Sequence, residues 1–285
     1  MVPGPSLVHS VVEPLGAVRL VPTAAPVDME FVAEVLRYDE CVVDLQTQAV
    51  FADAAPSCET VSWLHPRGQE RPASDHPRAF LPRGVLPALA GSANIFYLLM
   101  EVAAGLHVLD RADVLAGSVL VGWRPDEADS RLDDTLALYG CRAVPRPSRG
   151  SRLVRVSELF VPRFWVRAAG SGTSHDESPR WAAAGYSRTF VDDLRSRLLP
   201  LPAPPADHVA YDAGPGRAVA TAPDVIALGD AGAVLVPELS GAPLAASARF
   251  YAGVQRLVAV HGEANVNVVF LPDGAHVEEV FPDDE

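Results

Sequence analysis

The stretch RLVAVHGEANVNVVFLPDGAHVEEVF, residues 256–281, decides how the chain is read. Leu257 to Val260 is a short apolar run with the length and β-branched content of a buried parallel strand. His261-Gly262 breaks it. A second apolar run, Val266 to Leu271, leads into a Pro272-Asp273-Gly274 turn and a last strand, Ala275 to Phe281. Open α/β sheets place their ligands just beyond strand carboxyl ends, so the functional corner of the chain is expected at His261.

Working outward, 285 residues and 30.3 kDa allow one large domain or two modest ones. The formal net charge of −13 argues against a nucleic-acid partner, because phosphate binding needs clustered Lys and Arg. There is no lysine, which removes Schiff-base chemistry and a P-loop. Cys41, Cys58 and Cys141 are too few and too scattered for a disulfide framework or a thiolate zinc site. No run approaches the ~20 apolar residues of a membrane helix. The N-terminus lacks the basic-then-apolar pattern of a secretory signal. A cytoplasmic protein without a membrane span is expected, with homo-oligomerisation left open.

Along the chain, Ala17–Val21 and Glu40–Phe51 read as strands. Between them Asp28 can cap a helix over Met29–Arg37, with Phe31, Val32, Val35 and Leu36 at helical spacing. Pro56–Pro87 reads as an irregular surface segment, and its His65, Asp75 and His76 as solvated loop residues. Asn94–Asp110 is the strongest helix, apolar on most sides and therefore expected between two layers, with Glu101 and His107 as its interior ionisable groups. A strand at Ser118–Trp123, a helix at Ser130–Leu138 ended by Gly140, and strands at Arg142–Val144 and Leu153–Val161 follow. This alternation predicts a parallel sheet. Gly170–Glu177 reads as a polar link, and a helix is expected from Ser178-Pro179 to about Leu199. Pro200–Pro205 is the natural domain boundary. Beyond it come a strand His208–Tyr211, a helix near Asp224–Asp230, a strand Ala233–Val236 and a helix Leu244–Ala252.

Two segments carry a family likeness. The first is Ser92-Ala-Asn-Ile-Phe-Tyr-Leu-Leu-Met-Glu101. The second is Val236-Pro-Glu-Leu-Ser240, Ala252-Gly253, Val260-His-Gly262, Asn267, Pro272-Asp-Gly-Ala275 and Glu279. In this order and spacing they resemble the family 61 glycosyltransferases, the capsular-polysaccharide-type transferases, over residues 86–282. The resemblance implies an α/β fold of two Rossmann-like domains facing a cleft (GT-B-like). Residues 1–199 would form the acceptor side with a strand-rich lead-in, and residues 200–285 the donor side. It also implies inverting, metal-independent transfer from a nucleotide-sugar donor, a co-substrate with no further cofactor, to a polysaccharide or small natural-product acceptor. The chain departs from the family at two places. An arginine-rich segment is replaced by YDAGPGR, residues 211–217, keeping only Arg217, and a Gly-Ala-Gly turn becomes Gly262-Glu263-Ala264.

The site residues follow. His261 is expected as the acid–base group, Glu101 as a base on the acceptor-side helix, and Glu263 as a further catalytic candidate. Arg217, Gly262, Asn267 and Glu279 are the expected donor-binding residues. Each also has a structural reading: a histidine bonded to strand backbone, a buried Glu with a packing partner, a polar side chain bracing a turn. Two other functions remain open at this level. One is a non-catalytic relative that binds a sugar or a partner. The other is a metal enzyme using His261, Glu263 and His276.

Overall fold

The computed structural model describes residues 5–18, 25–45, 47–52, 58–60, 77, 79–87, 94–122, 130–141, 152–172, 187–199, 208–212, 233–236 and 242–281. Across them the chain is mixed α/β, with a curled mixed sheet and few helices. The larger sheet contains β1 (Ser6–Val18), β2 (Val27–Asp44), β3 (Ala49–Ala52), β4 (Cys58–Thr60), β5 (Ala79–Val85), β6 (Val119–Leu120) and β7 (Leu153–Ala168). Its order is β4-β3-β2-β7-β5-β6, with β1 also on β2. β5 runs parallel to β6 and β7, but β1, β2, β3, β4 and β7 pair antiparallel. This half is therefore not the all-parallel sheet that the strand–helix rhythm predicts.

The main reason is β2. Residues 29–37, where a capped helix is expected, are extended. Phe31, Val32, Ala33, Val35 and Leu36 are all buried, so both faces are covered and an apparent helical stripe selects nothing. The pairing with β7 decides the outcome. Glu30 stands directly opposite Arg167, and Glu34 opposite Arg163, with ion pairs at 3.1 and 2.8 Å. Val32 faces Trp165 between them. The strand expected over Glu40–Phe51 is split by a turn, in which the Gln48 N–H donates to the Asp44 carbonyl at 2.7 Å. The stretch 56–87 is not wholly irregular either, since β4 and β5 lie in it. Pro82 lies within β5, where the β7 pairing passes from Leu81–Val156 to Arg83–Glu158 and skips the proline, which has no N–H to give. His65, Asp75 and His76 lie outside the described residues, as do Arg142–Val144, Ser178-Pro179, Pro200–Pro205 and Asp224–Asp230.

The 95–111 helix forms as its sequence predicts. Asn94 caps it, its side-chain oxygen accepting the Phe96 N–H at 2.8 Å. It runs as α-helix (Ile95–Tyr97), π-helix (Leu98–Ala103) and α-helix (Ala104–Arg111). Every residue from Leu98 to Leu109 is buried. Helices Ser130–Leu138 and Leu244–Ala252 occupy their expected spans, and Gly140 ends the first region with φ +69°, a conformation that glycine adopts freely. The helix expected to end near Leu199 covers Arg188–Leu198, and Ser187 caps it by accepting the Phe190 N–H at 3.1 Å.

The second sheet is wholly parallel: β8 (His208–Asp212), β9 (Val234–Leu235), β10 (Val254–Val260) and β11 (His276–Val280), in the order β11-β10-β8-β9. Leu257, Val258, Ala259 and Val260 are all buried, as their run predicts. One apolar cluster joins Phe31, Ala33 and Val35 of β2, the 95–111 helix, Phe190 and Leu194, and Leu257 and Ala259 of β10. No helix among the described residues is long and apolar enough to cross a membrane.

Gly105 lets the central helix approach β7. A Cβ there would stand 3.3 Å from Pro162 Cγ and 3.6 Å from Pro87 Cβ. Gly105→Val should therefore destabilise the protein by about 1–3 kcal/mol in urea unfolding. Gly172→Ala, with nothing within 4 Å of its Cβ, should change stability by no more than about 0.5 kcal/mol.

Candidate functional site

Alternation along two parallel strands makes the site. In register Leu257 faces Val277 and Ala259 faces Glu279, so the next positions on that face are His261 and Phe281. Leu257 and Ala259 are in the main core; His261 is the first residue on the same face to pass its edge. Its backbone N–H donates to the Val280 carbonyl at 2.8 Å, which fixes the start of the side chain. Its Nδ1 lies 2.9 Å from Glu279 Oε1, and its ring stacks on Phe281 at 4.7 Å between centroids. The Asn265 side-chain amide donates to the same Glu279 oxygen at 2.6 Å. His261 is 48% and Glu279 37% exposed, so the cluster opens to solvent.

The run Val266–Leu271 is not extended. Residues Glu263–Phe270 form a 3-10 helix that carries the chain from β10 across to β11. Gly262 precedes it in extended backbone at φ 167°, and its carbonyl accepts the Asn265 N–H at 3.1 Å. Asn267, on this helix, is 8% exposed and so is turned into the fold rather than toward the open corner. Glu263 opens the helix. Ile95–Tyr97, the start of the central helix, packs against the same 3-10 helix, so the two segments that carry the family likeness meet in space. Glu101 is 6% exposed, within the π-helical segment, unlike the open His261. Arg217 lies outside the described residues.

The three residues named for a metal do not form one ligand set. His276 begins β11 and is in register with Arg256 at the far end of β10. Five residue steps separate that level from His261, about 16 Å at ~3.3 Å each. His276 Nε2 instead lies 3.3 Å from Glu278 Oε1, and Glu263 is not on a strand. Asn265 and Phe281 are site residues that the sequence reading missed. Phe281 was accessible from strand alternation with Glu279. Nothing in the linear spacing pointed to Asn265, whose role depends on the 3-10 helix.

A second histidine–carboxylate pair shows the contrast. His107 Nδ1 lies 3.0 Å from Asp193 Oδ2, which also accepts the Tyr139 hydroxyl at 3.2 Å. Arg197 donates to Asp193 Oδ1 and to Asp110 Oδ2, each at 2.9 Å, and lies over the Tyr139 ring. Burial pushes the Asp193 carboxyl up, but the hydrogen bonds from His107 and Arg197 and their charges outweigh it and hold it below the usual range. Burial, then the Asp193 charge, push the Tyr139 hydroxyl up. His107 is 6% exposed. The half-open pocket beside it, lined also by His9, Glu13, Ser187 and Thr189, offers about 20 Å³ to a water centre, room for little more than one water. This pair braces the core, and the exposed pair is the one able to meet a substrate. Burial also pushes the Cys41 thiol up to about 12, so it is an unreactive core group at neutral pH.

No protein-family model matches the chain, and comparison with curated proteins returns no match.

Asp193→Asn should lower stability at neutral pH by roughly 1–3 kcal/mol through its charged hydrogen bonds. A carboxyl whose folded pKa is depressed stabilises above its unfolded value of ~4, and that stability is lost as pH falls through the folded value. Urea unfolding of wild type and variant at neutral and acid pH should therefore show the gap narrowing in acid. A gap that is constant with pH would mean that the Asp193 charge does not contribute.

Proposed function

We propose that the chain is a glycosyltransferase in which the His261–Glu279 pair deprotonates the acceptor. The observation that supports it most is the 2.9 Å contact from His261 Nδ1 to Glu279 Oε1 at an exposed strand end. An ionised carboxylate only accepts, so Nδ1 carries the proton and Nε2 the lone pair. A half-exposed ring in that tautomer is suited to take a proton from a hydroxyl, and Glu279 stabilises the imidazolium that results. In the proposed step the acceptor O–H proton passes to Nε2. Its oxygen bonds to the anomeric carbon of a nucleotide-activated sugar as the bond to the nucleoside diphosphate breaks. This single displacement inverts the anomeric centre and needs no metal.

The position of the pair supports the same reading. Taken in chain order, the parallel sheet runs fourth, third, first, second, so β8 and β10 flank the point where strand order reverses. Such sheets bind ligands in the crevice outside the strand carboxyl ends at that point. His261 follows directly on β10. The likeness to family 61 glycosyltransferases supplies the reaction class. In this reading the β8–β11 sheet is the donor side, and the 95–111 helix belongs to the acceptor side. The acceptor is a glycan or a hydroxylated natural product.

A panel of nucleotide sugars tests the proposal, first by thermal shift and then by mass spectrometry of products with mixed glycan acceptors. His261→Ala should lower turnover by about 10²–10⁴-fold with little change in melting temperature. Glu279→Ala should act in the same direction. Normal turnover in both variants sinks the assignment. Sugar binding without product would favour the non-catalytic binding protein.

A further inference from the structure

We infer that Arg195 is the positioning residue of this site, the group that holds Asn265 where it shares Glu279 Oε1 with His261. The inference rests on His261–Glu279 as the reacting pair. The histidine and its two partners are supported differently. His261 and Glu279 share the β10–β11 ladder, with Ala259 opposite Glu279 and the His261 N–H on the Val280 carbonyl, whereas Asn265 belongs to the crossover between the strands.

That crossover is a weak element by itself. It is a 3-10 helix of 8 residues, and such helices seldom exceed ~3–4 because their hydrogen bonds are poorly aligned. Its far end is held from outside. Arg195, on the Arg188–Leu198 helix and 22% exposed, donates from Nε to the Val269 carbonyl at 2.7 Å and from Nη2 to the Leu271 carbonyl. It also donates from Nη1 to Asp273 Oδ1 at 3.0 Å. One planar guanidinium thus ties the last turn of the 3-10 helix to the Pro272–Gly274 turn from which β11 starts. A lysine could not reproduce this fork, since its ammonium is a single point charge. The supporting helix is itself anchored on its other contacts. Asp193 grips His107 and Tyr139, and Ser187 and Thr189 both donate to Glu13 of β1. Movement of the crossover relative to β10 would draw Asn265 away from Glu279 Oε1 while the β10–β11 ladder stays in place.

The tautomer of His261 reads this directly, without substrate. Long-range proton–nitrogen NMR of the unliganded protein at mildly alkaline pH, where imidazole is neutral, distinguishes Nδ1–H from Nε2–H. The His261 signals are assigned by their loss in His261→Ala. Wild type should show mainly the Nδ1–H form. Arg195→Met, which keeps the aliphatic stem and removes every donor, should raise the Nε2–H fraction toward that of Glu279→Ala. Arg195→Lys should fall between. Arg188→Ala, which removes exposed contacts to Asp273 at 3.3 Å and to Asp192 at 3.6 Å, should leave the tautomer unchanged. If Arg195→Met lowers the melting temperature but keeps the Nδ1–H form, Arg195 is only a brace and the inference is wrong. If that variant does not fold, an unchanged tautomer in Arg195→Lys overturns the inference, and a shifted one supports it. Absence of turnover in every variant, with the tautomer coupling intact, would count against the transfer reaction alone.

Discussion

A helix buried on every side can exist only where two layers close around it, and residues 98–109 impose that condition on this chain. Leu98, Leu99, Met100, Leu106 and Leu109 are almost wholly removed from water. Each such side chain contributes about 1.5–3 kcal/mol on burial. One side of the helix is covered by β2 and β7; the helices Ser130–Leu138 and Arg188–Leu198 and the 3-10 helix close over the rest. The helix also buries His107, and a polar group there must be matched. Asp193 matches it, which requires the Arg188–Leu198 helix to dock in one orientation. That same docking brings Arg195 to the crossover of the parallel sheet. The core requirement and the site geometry are linked through one short helix.

The site itself is a boundary effect. Leu257 and Ala259 belong to the core, and two residues on, the same face of the sheet meets solvent. His261–Glu279 and His107–Asp193 contain the same two functional groups at nearly the same separation. Their surroundings separate them. The buried pair has further partners in Tyr139 and Arg197 and a neighbouring space about the size of a water. The exposed pair has an aromatic neighbour in Phe281 and meets solvent.

Legibility in the sequence followed from how many local signals agreed. The 95–111 helix is apolar on most sides over a length no strand would need, and the 95–111 and 130–138 helices have an end signal in Asn94 or Gly140. The strand at Leu257–Val260 has length and β-branching in agreement. Met29–Arg37 failed because a segment buried on both faces satisfies a helical and an extended pattern equally. Its two glutamates gain their partners only from Arg163 and Arg167, far along the chain. The strand at Ala79–Val85 was hidden by Pro82, which the pairing with β7 skips.

The same division holds for the candidate site. The sequence by itself determined that a polar residue, His261, closes a buried parallel strand, because strand burial and a His-Gly break are local properties. It also determined that Glu279 lies on the last strand. The tertiary structure alone decided that Glu279 Oε1 receives both His261 and Asn265, and that His276 lies at the opposite end of the sheet. It alone made the apolar run helical from Val266 to Phe270. Those outcomes depend on parallel register, and register is set by pairing and packing between segments distant in the chain.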